Sequence, residues 1–232
     1  MSFTGVWVNT GTVLAGSLLG LLFKKGIPER VSRAVMIGMG FFTVYLGVDG
    51  ALGAENALIV IAALVLGAIA GTLLNIDGGI NRLGAWAEAK FQHGEGETVS
   101  IAEGFVTASL LFCVGAMTVN GAIEAGVQGK NDIFFTKATM DLFSSMMLAS
   151  GLGLGVVLSA VFVLVFQGLL VLLAGWIAPA LTPFAIAEMT AAGSLIMIGL
   201  GTNLMGISKI KVADYLPAIA FAPVICWVIG LF

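Results

Sequence analysis

The chain has 232 residues, of which 59% are hydrophobic and 10% charged, and its net charge is −3. Mean hydropathy is +1.09. A soluble domain carries about 25% charged residues, so this composition excludes a soluble enzyme and a disordered chain, and ten Lys and Arg against thirteen Asp and Glu leave no basic footprint for nucleic acid.

What remains is a single transmembrane domain over 1–232, an all-α polytopic membrane protein whose first partner is the lipid bilayer. A helix needs about 20 apolar residues to cross the hydrocarbon core. The charge-free intervals are 1–23, 34–48, 56–76, 104–123, 142–187, 189–208 and 215–232. The fifth is long enough for two crossings, with the glycine cluster at 151, 153 and 155 as the turn. About eight spans follow, near 4–23, 31–50, 56–75, 101–121, 133–152, 154–176, 187–207 and 215–232.

Span one carries Asn9, Thr10 and Thr12 in its first half. Thr hydroxyls bond their own helix backbone, so Asn9 is the more informative. Lys24 and Lys25 follow the span rather than precede it, and it reads as an uncleaved first helix. The loop near 76–100 holds Ile80, Leu83, Trp86 and Phe91 against Asn81, Arg82, Glu88 and Lys90, which suits an amphipathic helix on the cytoplasmic membrane surface. Its acidic tip at 93–97 reads as a solvated loop before a partner site.

Span four brings Thr118 and Asn120 together with Gly115 and Gly121. Span five carries Lys137 and Asp141, four residues apart on one helix face, then Ser144 and Ser145. Charge in hydrocarbon is costly and needs a reason. One reading makes Asp141 a cation or proton ligand with Lys137 as its partner; the other leaves both residues in the headgroup region. Gln167 falls at comparable depth in span six, for an interhelical bond or a contact to Asp141. Span seven holds Gly199, Gly201, Thr202 and Asn203. Cys113 and Cys226 read as small core residues.

Spans four and seven share a pattern. Ala102-Glu103 and Ser109-Leu110-Leu111 match Ala187-Glu188 and Ser194-Leu195-Ile196 at a separation of 85 residues. Gly115 and Thr118 match Gly199 and Thr202 at a separation of 84. Three spans apart, the two segments cross in opposite directions, the geometry of an inverted-topology repeat with broken helices in spans four and seven. Chance similarity in an apolar background is the competing explanation. Glycine also permits close helix packing, as at Gly16/Gly20, Gly67/Gly71 and Gly151/Gly155. Such small-residue faces suit a homodimer without specifying one.

Eight basic residues fall in loops on one side of an eight-span chain, against Lys130 and Lys137 on the other. The positive-inside rule makes the first side cytoplasmic and both termini non-cytoplasmic. Trp7, Trp176 and Trp227 then fall toward the outer interface, as an aromatic belt requires.

The only histidine is His93, and no HExxH, GxSxG, Walker A or CxxC motif occurs. The expectation is a chain that is not an enzyme, holds no metal centre and needs no cofactor, with Na⁺ at most as a transported ion.

The chain resembles the YqgA-like family of uncharacterised bacterial membrane proteins nearly end to end. The residues are Gly5-Val6-Trp7-Val8-Asn9, Lys25-Gly26-Ile27-Pro28-Glu29-Arg30, Phe112-Cys113-Val114-Gly115-Ala116-Met117, Lys137 with Asp141, Gln167-Gly168, and the run from Lys209 to Ala218. The family carries Thr where this chain has Val6, which weakens a ligand role there. The family is described as a possible sodium channel or pump, so the resemblance implies transport in the bacterial inner membrane.

The expected function is a secondary transporter or channel for Na⁺, H⁺ or an ion-coupled small solute. Asp141 supplies charge, partnered by Lys137. Asn9, Thr118, Asn120, Ser144, Gln167, Thr202 and Asn203 supply polar groups, and the backbone at Gly115, Gly199 and Gly201 is unwound. The rival expectation is a non-transporting membrane scaffold or assembly partner.

Overall fold

The computed structural model describes residues 1–24, 29–91, 101–113, 116–178 and 181–230. Lys25, the acidic tip at 93–97 and Gly115 lie outside the described residues. All regular structure among the described residues is helical. In chain order the helices are α1 (Thr4–Lys24), α2 (Glu29–Ala51), α3 (Ala57–Leu74), α4 (Ile76–Phe91), α5 (Ile101–Cys113), α6 (Ala116–Ile123), α7 (Asp132–Leu152), α8 (Leu154–Ile177), α9 (Pro183–Leu204) and α10 (Pro217–Val228). A π-helical turn, Glu124–Gln128, extends α6, and a 3₁₀ turn, Val212–Tyr215, leads into α10.

The ends follow local chemistry. Asn56 caps α3 by accepting from the Leu58 N–H, and Asn75 closes it in the left-handed region at φ 50°. Thr182 caps α9 by accepting from the Ala185 N–H, with Pro183 in the first turn. Gly153 alone separates α7 from α8, at φ 73° and ψ −146°, a backbone conformation that glycine adopts without a Cβ penalty. This is the turn expected within the long apolar run.

Among the described residues, four helical segments are long and apolar enough to cross a membrane: Thr4–Phe23, Ala57–Leu74, Leu154–Ile177 and Pro183–Leu204. Ile101–Cys113 and Met117–Gln128 form a fifth if taken as one span bent by 57°. Helix α7 has 21 residues, long enough to cross, but contains Asp132, Lys137 and Asp141. The solvent pattern is inverted relative to a soluble protein. Leu58, Leu73 and Trp176 are 77%, 81% and 87% exposed, whereas Asn9, Gln167 and Glu188 are wholly enclosed.

Helices α1, α5, α6, α7 and α8 pack as one group, and α2, α3, α9 and α10 as another, with α2 touching α7 between them. Seams are closed by glycine. A Cβ at Gly16 would overlap the Leu142 carbonyl, and one at Gly20 the Met146 carbonyl, so α1 and α7 approach backbone to backbone. The pairing of Gly5 with Phe134 and Gly20 with Met146 makes these two helices parallel. Helices α2 and α9 are antiparallel, Gly40 meeting Gly201 and Gly50 meeting Ser194.

One expectation is corrected. Helix α9 runs unbroken through Gly199 and Gly201, so span seven is not an interrupted helix. Gly201 is consumed by packing, its Cα face lying against the Gly40 carbonyl and Val44. Among the described residues the bent pair is in span four, and the match between the two segments is not repeated as a pair of broken helices. Span seven also begins four residues earlier than expected, at Pro183 rather than 187.

Candidate functional site

The N-terminal end of α7 is stitched down by polar bonds. Asn131 Oδ1 accepts from the Gly5 N–H at 2.9 Å, and Glu124 Oε2 accepts from the Ile133 N–H at 3.1 Å. From Asp132, nine residues of helix carry the chain to Asp141, a rise of about 13 Å at 1.5 Å per residue. There Lys137 Nζ donates to Asp141 Oδ2 at 2.7 Å. Each residue is 6% exposed.

A second polar bond lies beside the pair. Helix α1 packs between α7 and α8. Its Asn9 Nδ2 donates to Gln167 Oε1 of α8 at 3.2 Å, and its amide lies near the Asp141 carboxylate. Lys137, Asp141, Asn9 and Gln167 are thus enclosed neighbours on three helices, joined as two separate bonded pairs. Gln167 bonds Asn9 rather than Asp141. Asn9 Oδ1 and Gln167 Nε2 have no hydrogen-bond partner. Buried polar atoms are normally satisfied, so two orphans in one cluster mark a place where a further group could bind.

The bend of span four adjoins this cluster, since α5 and α6 both pack on α7. Thr118 Oγ1 donates to the Phe112 carbonyl at 3.1 Å, tying α6 back to the end of α5. Thr118 therefore supports the bend with its own hydroxyl.

The remaining expected residues are elsewhere or turned away. Asn120 is exposed and borders a shallow depression with Asp132 and Thr136. Ser144 is half-buried, while its neighbour Ser145 faces Gly16 and donates to the Leu142 carbonyl. Thr202 Oγ1 donates to the Gly199 carbonyl at 2.7 Å. Asn203 donates to the Ile210 carbonyl and accepts from the Ile210 N–H and the Ser208 hydroxyl. Thr202 and Asn203 thus fold 205–211 onto the end of α9, which packs chiefly on α2.

Two buried acids were not among the expected site residues. Glu188 is wholly enclosed, and its Oε1 accepts from the Glu55 and Asn56 N–H groups at 2.7 Å each. Its Oε2 has no partner. The Thr182-Pro183 start signal would have placed Glu188 inside the helix. Asp214 Oδ1 accepts from the Asp77 N–H at 2.9 Å, joining α4 to the turn before α10. Burial first, and then the charge of Asp214, hold the Asp77 carboxyl above the usual carboxylate range, against Lys211 and Asn81.

No solved structure matches the chain. The chain is 31% identical over 232 residues to the uncharacterized membrane protein YdfK of Bacillus subtilis, covering 98% of this chain and 97% of that one. It is 29% identical over 220 residues to the uncharacterized protein YqgA of Escherichia coli, covering 94% of each. Residues 4–227 match the family model described as protein of unknown function (DUF554). The resemblance drawn from the FCVGAM run and the Lys209–Ala218 segment therefore holds, and the chain belongs to the DUF554 family of membrane proteins.

Proposed function

We propose that this chain crosses the bacterial inner membrane eight times and moves a small cation, Na⁺ or H⁺, or a solute coupled to one. The observation that carries the reading is the enclosed Lys137–Asp141 pair with the orphaned Asn9 and Gln167 amide atoms beside it. A pair this deep is expensive to keep unless it does something. A cation that reaches the Asp141 carboxylate competes with the Lys137 ammonium, and Asn9 Oδ1 offers it a neutral oxygen. A displaced Lys137 can release its proton, which couples cation entry to proton exit.

Run directions support alternating crossings. Helices α1 and α7 are parallel, as are the α5–α6 unit and α8, where Gly104 meets Gly155 and Gly126 meets Ala174. Helices α3 and α10 are antiparallel, with Gly67 at Ala218 and Gly71 at Asp214. An eight-span order with both termini non-cytoplasmic requires each of these relations.

Purified protein in proteoliposomes tests the reading by ²²Na⁺ uptake and by a pH dye under imposed gradients. Gradient-driven flux that falls at least tenfold in a folded Asp141→Asn variant is expected. Flux that is absent in the wild type, or equal in the variant, overturns it. A scaffold reading draws on the glycine seams, where many glycines serve packing; co-purification with one fixed partner and no flux would favour it.

A further inference from the structure

The two groups of helices differ in how their members meet inside each group and across the seam between them. Inside the first group, α1 and α7 touch through Gly5, Gly16 and Gly20, and α5 and α8 through Gly104 and Gly155. Inside the second, α2 and α9 touch through Gly40, Gly47 and Gly201, and α3 meets α10 and the turn before it through Gly67 and Gly71. At each of these seams an added Cβ would fall on backbone: Gly16 on the Leu142 carbonyl, Gly155 on the Ile101 carbonyl, Gly47 on the Ser194 carbonyl, Gly71 on the Asp214 carbonyl. Backbones this close hold one register, because sliding would bring a larger neighbour onto the same carbonyl. Hydrogen bonds keep to the same division. Asn9 with Gln167 and Asn131 with Gly5 lie in the first group, and Glu188 with Asn56 lies in the second.

Between the groups the contact is of another kind. Helix α2 meets α7 by Met36 and Met39, both buried, and a Cβ at Gly151 would meet their two sulfur atoms. These methionines and Leu204 of α9 share one apolar cluster with Leu148 and Leu152 of α7. Val106 and Leu110 of α5 share another with Ile196 and Leu200 of α9. Such contacts are apolar side chains without directional bonds. Methionine is unbranched with three rotatable bonds, so it repacks against a neighbour that has moved. The Lys137–Asp141 and Asn9–Gln167 pairs lie wholly inside the first group, so a displacement of that group carries the polar cluster with it.

We propose that α1 and α5 to α8 move as one rigid body against α2, α3, α9 and α10, with Met36 and Met39 over Gly151 as the sliding surface. Shear of packed helices proceeds by such small slides, and displacement of one bundle against another is how a membrane site is exposed to each side in turn. The inference supplies the conformational step of the cation-transport reading and rests on that reading for its purpose, but it is measured as a distance, without an ion gradient.

The test is double electron–electron resonance on the full chain in lipid nanodiscs, with nitroxide labels in a Cys113→Ala, Cys226→Ala background. Leu73→Cys with Trp176→Cys spans the two groups. Leu22→Cys with Trp176→Cys lies inside the first, and Leu73→Cys with Trp227→Cys inside the second; all four positions are exposed. Across a series of Na⁺ concentrations and pH values, the spanning pair should show two distances about 5 Å or more apart, one helical turn of shear. Each inner pair should show one. A single spanning distance under every condition, or two distances in an inner pair, overturns the proposal. Flux with a single spanning distance removes the sliding body and leaves the transport reading; two spanning distances without flux do the reverse. Met36→Ile with Met39→Ile places stiff β-branched chains in the seam and should change the proportions of the two distances by about threefold or more. Unchanged proportions overturn the role of the methionines. Should that variant fail to fold, Gly151→Ala, which sets a methyl group against the two sulfur atoms, is measured in its place with the same outcomes. Should the thiol-free background fail to fold, the pairs are labelled briefly in the native chain, where Cys113 and Cys226 are buried.

Discussion

Lys137 and Asp141 meet at 2.7 Å one turn apart, on the enclosed face of a helix whose other face turns Met140, Phe143 and Met147 outward. The pair is thus hidden from the surroundings by its own helix and by α1. Removing one partner leaves an uncompensated buried charge.

Asp141→Leu or Lys137→Met alone should each destabilise the protein by about 3–5 kcal/mol. The double variant should recover most of that loss, because no lone charge remains. Thermal unfolding in detergent, read as a double-mutant cycle, checks this. Additive losses would show that the two residues do not act as a pair. By contrast Asn9→Leu should cost only about 0.6–1.7 kcal/mol, the range of interhelical hydrogen bonds in membranes, while reducing cation flux far more.

The α1–α7 seam makes a sharp contrast between glycines. Gly16→Leu and Gly20→Leu should prevent extraction of monodisperse protein, since each side chain would fall on an α7 carbonyl. Gly11 faces open space, so Gly11→Ala should be neutral or should stabilise by about 0.5–1 kcal/mol. Size-exclusion profiles and thermal midpoints give the readout, and a well-behaved Gly20→Leu protein would contradict the seam.

Glu188→Ala removes an acceptor shared by two backbone donors at the start of α3. Hydrogen bonds to charged groups contribute about 1.5–3 kcal/mol. Amide exchange at Glu55 and Asn56 should accelerate more than tenfold, with little change in the α7 region. Unchanged protection at these two amides would deny Glu188 its role in the cap.

Asp77 predicts a pH effect. Its carboxyl lies above its ordinary value of 3.8 because of burial and Asp214. The folded state therefore prefers the protonated form. Its stabilising contribution is complete below 3.8 and is lost as pH rises through the raised value. Asp77→Asn stays uncharged, so the variant's thermal midpoint should gain on the wild type as pH rises through that window. A midpoint difference that stays constant across it would show that Asp77 titrates as it does unfolded.

Much of this was legible in the chain. Apolar runs of about 20 residues and a scarcity of charge determine a helical membrane protein by themselves, because hydrocarbon leaves the backbone few alternatives. Local signals located the Gly153 turn, the α7 boundaries and the Lys137–Asp141 pair, since i,i+4 neighbours are brought together by one helix. Contacts between helices were not legible. Only the tertiary structure decided that Asn9 bonds Gln167, that Glu188 caps a loop 132 residues away, and that Thr202 and Asn203 serve the end of α9. Glycine shows why: the same residue permits a broken helix or a close helix pair. Gly201 is of the second kind because Gly40 happens to face it, a fact that no local pattern carries.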